Sequence, residues 1–108
     1  MANVYLAPVG VLLGTSETTV YTAPGATSSM VVVRFNNVDT VTRVLDAWLY
    51  TGGGPGADAT RLLPKSFSLA AGQQLEIGPL YLTAGYKIMA TSDAANKISA
   101  MPFGIETT

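Results

Sequence analysis

Seven carboxylates and six cations are all the ionic chemistry available to this chain: Glu17, Asp39, Asp46, Asp58, Glu76, Asp93 and Glu106 against Arg34, Arg43, Arg61, Lys65, Lys87 and Lys97. It contains no His and no Cys. That removes the imidazole general base, the thiolate nucleophile and the usual transition-metal ligands. A serine nucleophile would need a Lys or carboxylate beside it, and no Gly-x-Ser-x-Gly elbow occurs. Paired acids could hydrolyse a glycoside, but these seven sit singly, mostly beside turn residues, and nothing in their spacing brings two together. An Asp at a turn is expected to hydrogen-bond its own backbone. The glycine-rich stretch Gly52-Gly53-Gly54-Pro55-Gly56 invites a phosphate-binding reading. It lacks the Lys-Ser/Thr that follows such a loop, Pro55 removes an amide donor, and no helix follows. Asp39 with Asn36 or Asn37 could offer oxygens to Ca²⁺, but the spacing is not that of a calcium loop. The expectation is a protein without catalytic residues, cofactor or metal.

What remains must work by surface and shape. The six cations are scattered and the net charge is −1, so the clustered Lys and Arg that phosphate backbones require are missing and no nucleic acid is expected. Only 12% of residues are charged while 48% are hydrophobic, against about 25% charged in an average soluble domain. A small domain exposes much of its chain, so this surplus of apolar area is expected to meet another protein surface. With no Cys the fold stands on packing alone, which suits a reducing cytoplasm. Val4 to Leu13 is apolar, but no Lys or Arg precedes Arg34 and Pro8 and Gly10 interrupt it. It reads neither as a signal peptide nor as a membrane span, and no membrane partner is expected.

The elements that must position these groups are strands. Val4 to Leu13 reads as a first strand with a Pro-marked edge or bulge, within a segment, residues 1–16, that is either an N-terminal arm or an edge strand. Thr18 to Thr22 stops at Pro24-Gly25, Met30 to Asn36 alternates, and Thr42 to Thr51 runs into the glycine-rich loop. Arg61 to Leu69 holds Pro64, and Gln74 to Ile77 and Leu80 to Leu82 form a strand broken at Gly78-Pro79. Tyr86 to Thr91 and Lys97 to Ile105 complete the set. The only stretch tempting as a helix, Ser92 to Asn96, is too short. Turn signals at this spacing predict one domain over residues 1–108: an all-β, antiparallel β-sandwich of about eight strands, jelly-roll-like.

Alternation assigns faces, because residues two apart leave a strand on the same side. Val31, Val33, Phe35, Leu45, Leu49, Leu75, Ile77, Leu80, Leu82, Ile88 and Ile98 read as core. Trp48, Tyr50, Tyr81 and Met89 fall on the opposite parity. They are either anchors of an interface or covered by loops of their own subunit. Val4, Tyr5 and Leu6, in the apolar first strand, are the second interface candidate.

A set of turn and strand motifs carries a resemblance. Thr19-Val-Tyr-Thr-Ala-Pro-Gly25, the Met30–Asn37 strand, Trp48-Leu-Tyr50 with its glycine-rich loop and Leu69-Ala-Ala-Gly72 begin it. Gly78-Pro79-Leu-Tyr-Leu82, Ala84-Gly85-Tyr-Lys-Ile88 and Gly104-Ile-Glu106 complete it. Together, from Thr18 to Glu106, they resemble the small β-sandwich virion proteins of tailed bacteriophages, the capsid decoration (cement) proteins and related tail or fibre modules. The family's usual Asp after the Ala-Gly turn is Tyr86 here. The resemblance implies a structural virion protein, assembled in the host cytoplasm. It would form a homo-oligomer, a trimer first among the options, and bind the major capsid protein on the outside of the head. The alternative it leaves open is a small tail or receptor-binding protein that recognises host glycans through aromatics such as Trp48 or Tyr50, with Asp46 and Arg43 nearby.

Overall fold

The β-branched runs between turn residues become nine strands among the described residues, which are 3–6, 9–25, 27–51 and 58–108 of the computed structural model. They are β1 (Asn3–Tyr5), β2 (Val11–Leu12), β3 (Thr18–Thr22), β4 (Ser28–Asn37), β5 (Arg43–Tyr50), β6 (Phe67–Leu69), β7 (Gln74–Leu82), β8 (Lys87–Ser92) and β9 (Ile98–Thr107). One 3-10 turn, Asp58–Thr60, follows β5. Pro8 and the Gly52–Gly56 loop lie outside the described residues.

Two antiparallel sheets pack face to face. One runs β1-β9-β4-β7, with β2 also on the edge of β9, and the other runs β3-β8-β5-β6. The pairing is nested. β5 pairs with β6, β4 with β7, β3 with β8, and β1 and β2 with β9. The chain is thus one long antiparallel ribbon rolled upon itself, then closed by the pairs β4–β9 and β5–β8. That is the jelly roll expected from the turn spacing.

The core is the set of inward positions. Val31, Val33 and Phe35 of β4, Leu45 and Ala47 of β5, Ile88 and Ala90 of β8, and Ile98 and Ala100 of β9 are fully buried. Leu75, Ile77 and Leu80 also face inward but stay half-buried, because β7 is an edge strand. Their parity looks inconsistent until the register is seen. Val31 pairs with Leu80 and Val33 with Ile77, so Gly78 and Pro79 together oppose Val32. This bulge returns both flanking apolar residues to the core. Gly78 has φ +126°, and a Cβ there would stand 2.8 Å from the Val31 carbonyl oxygen, so only glycine fits.

Three strand expectations change. The break expected at Gly78-Pro79 is a bulge in one continuous strand, β7. Val4 to Leu13 is two short strands rather than one. Arg61 to Leu69 contributes only Phe67–Leu69, with an isolated bridge from Arg61 to Trp48, because Pro64 and the positive φ of Ser66 break the run.

Polar ties close the sandwich at both ends of β4. At its start the Tyr21 hydroxyl, from the opposite sheet, shares a 2.8 Å bond with Ser29 Oγ and donates to Glu106 Oε2 at 2.5 Å. Burial, then the bond to Glu106, push the Tyr21 phenol up to about 12. At its end the fully buried Asn37 donates from Nδ2 to the carbonyls of Leu69 (2.8 Å) and Val41 (2.9 Å), while its Oδ1 accepts from the Asp39 amide at 2.9 Å. Asp39 behaves as a turn Asp should. It accepts from the Thr40 amide at 2.7 Å and pairs with Arg43, and these two contacts, the amide first, hold its carboxyl below the usual range.

Candidate functional site

The outer face of the β1-β9-β4-β7 sheet is where the chain keeps apolar side chains in the open. Opposed residues of antiparallel strands share a face, so the registers can be read straight across the sheet. Tyr5 opposes Ile105, Ile105 opposes Met30, and Met30 opposes Tyr81. Three inter-strand steps make this row roughly 14 Å long. Its two ends are the most open aromatics of the described chain: Tyr5 is 84% exposed and Tyr81 74%. Towards the sheet centre the next row pairs Val32 with Phe103, and Arg34 lies 5.2 Å over the Phe103 ring while bonded to Glu76 at 2.7 Å. Towards the sheet end lie Asn3, Thr107 and Ser28. Thr107 Oγ1 donates to Asn3 Oδ1 at 2.9 Å. Between the aromatic row and this hydroxyl row is a cleft of about 410 Å³, lined by Met30, Tyr81 and Ile105 together with Asn3, Ser28, Thr83 and Thr107.

The other outer face is different in kind. Trp48 lies between Met89 on β8 and Arg61 beyond β5, with the guanidinium 5.1 Å over its ring. Arg61 also bonds Asp46 at 2.7 Å, and Lys87 sits 5.9 Å over Tyr50. Trp48 is only 9% exposed, and Tyr50 and Met89 are half-buried. The charges expected to flank a sugar platform there are engaged within the chain: Asp46 with Arg61, and Arg43 with Asp39. Of the two sequence readings of Trp48, cover within its own subunit is the one the geometry supports.

The four residues of outward parity therefore do not form one patch. Trp48, Tyr50 and Met89 share one sheet and Tyr81 stands on the other. Of the N-terminal candidates, Val4 is 54% exposed, Tyr5 joins Tyr81 in the apolar row, and Leu6 packs on the core with its amide bonded to Gly104. Comparison with protein-family models, curated proteins and solved structures found no match.

Met30, Ile105, Asn3 and Thr107 were not singled out in the sequence. The outward parity of Met30 was legible from its alternation with Val32. The place of Ile105 was not, because it depends on the β4–β9 register. Chemically, the face offers apolar contact and neutral hydrogen-bonding groups. Among the described residues, no group of three or more His, Cys, Asp or Glu could hold a metal ion.

Proposed function

We propose that this chain is a non-enzymatic structural protein of a bacteriophage virion, a decoration subunit that self-associates and binds the major capsid protein on the outside of the head. The observation that carries the reading is the N-terminal edge of the sandwich. β1 and β2 form the border of their sheet, and Val4, Tyr5 and Val9, the last 66% exposed, keep apolar side chains in solvent along it. A strand edge with apolar side chains is a template for another chain, which free-standing proteins blunt with short strands, proline or charge; β1 and β2 are short, but charge is missing. Here none of Val4, Tyr5, Val9, Val11 and Leu12 is charged. The motif resemblance supplies the virion, and closed symmetry among identical subunits, a trimer in the simplest case, supplies the partner surface.

The test is sedimentation of the purified chain, alone and mixed with undecorated heads of the phage that encodes it. A discrete oligomer that pellets with heads, and loses both properties in Tyr5→Asp, is the expected result. A monomer that stays in the supernatant refutes the reading.

A further inference from the structure

We infer that the cleft between Tyr81, Met30 and Ile105 is a subsite for an uncharged saccharide. At about 410 Å³ it falls within the range of small-molecule sites, about 300–1,000 Å³. Its composition narrows the ligand. Met30 and Ile105, opposed on the paired central strands β4 and β9, give it an apolar side. One wall is Tyr81, an aromatic 74% exposed with a phenol face free to stack. Its polar groups are the amide of Asn3 and the hydroxyls of Ser28, Ser29, Thr83 and Thr107, of which Ser29 is bonded to Tyr21. None of the residues that line it is charged.

A pyranose ring has the matching surface: a patch of C–H groups that packs on an aromatic face, bordered by hydroxyls that pair with neutral amides and alcohols. A phosphorylated or carboxylated ligand would sit there without a cation, at the cost of desolvating its charge. An extended peptide is disfavoured for a separate reason. The backbone groups of β4 and β9 beneath the cleft are spent in their own ladder from Ser28↔Thr107 to Asn37↔Ile98, so none is left for a strand laid on top. Thr107 Oγ1 already holds Asn3 Oδ1, which fixes that amide and leaves its nitrogen without a hydrogen-bond partner among the described residues.

The experiment is binding of the full chain to an array of neutral oligosaccharides of glucose, galactose, mannose and N-acetylglucosamine, with sialylated and uronic-acid glycans alongside. Hits are followed by NMR titration. Binding is expected among neutral glycans only, with amide shifts at Met30, Tyr81 and Ile105. Tyr81→Ala is expected to weaken it by about tenfold while Tyr81→Phe keeps it. Tyr81 is exposed, so both variants fold, as their unchanged spectra would verify. Any of three results overturns the inference: no binding on the array, binding confined to acidic glycans, or binding indifferent to Tyr81→Ala. A Tyr81-dependent self-association without sugar binding overturns it too, by giving this face to a second copy. The head-binding assay reads Tyr5→Asp instead, so either reading can fail without the other.

Discussion

Replacing Asn37 is the sharpest test of how the sandwich is held shut. The side chain is fully buried at the end of β4 and makes three hydrogen bonds, two donated to the Leu69 and Val41 carbonyls and one accepted from the Asp39 amide. In Asn37→Ala the Val41 and Asp39 groups turn to water, because Val41 is exposed and Asp39 lies on the turn. Leu69 is fully buried, but it also opposes Arg43 in the β5–β6 ladder, so its carbonyl is not stranded. Each lost bond costs about 1 kcal/mol, so the expected loss is about 2–3 kcal/mol. For a domain of this size that lowers the thermal midpoint by on the order of 10 °C or more. Asn37→Asp sharpens the argument. It preserves shape but turns a donor into an anionic acceptor facing two carbonyls, so near neutral pH it should be worse than Ala. Burial raises the pKa of the new carboxyl in the folded state above its unfolded value of about 3.9. The neutral form is then favoured by folding, so the deficit shrinks below about pH 4 and grows as pH rises through the folded value. Urea melts of the three proteins at pH 7 and pH 3.5 read both effects. A loss under about 1 kcal/mol for Asn37→Ala, or pH-independent equality of Ala and Asp, would refute the reasoning.

Two further outcomes follow from the same geometry. At Gly104 a Cβ would overlap the Met30 carbonyl oxygen, so Gly104→Ala must push β4 from β9, with an expected loss of about 3 kcal/mol; a wild-type melting temperature would contradict it. The Tyr21 phenol, raised to about 12, favours the folded state while neutral, so stability is full below about pH 10 and lost as pH climbs towards about 12. Unfolding followed from pH 9 to 12 should show this decline in the native chain and a weaker one in Tyr21→Phe, and identical profiles would exclude Tyr21 as its source.

Much of the architecture was legible in the residues because period-two alternation and turn chemistry are local. Val31, Val33, Phe35, Leu45, Ile88 and Ile98 are in the core as their parity demands, and turn spacing gave the antiparallel β-sandwich but not the strand order. What stayed hidden depends on register between distant strands. Trp48 has outward parity yet is covered, because Arg61 returns across it as an isolated bridge inside a run that reads as a longer strand. Asn37 reads as a turn residue, and only the approach of β6 reveals it as a tie between sheets. The cleft is illegible for the same reason, since Asn3 and Thr107 stand at opposite ends of the sequence.

The nested strand order also sets a sequence of events in time. β5 and β6 close the shortest loop, whereas Asn3 meets Thr107 across 104 residues. Closure entropy grows with loop length, so the ribbon zips from the middle outward and β1 arrives on β9 last. Until it does, the outer edge of β9 is bare, and under the self-association proposed above the first strand of a second copy would compete for the same backbone groups. Copies that met before closure would then exchange their first strands, and separating them would require unfolding.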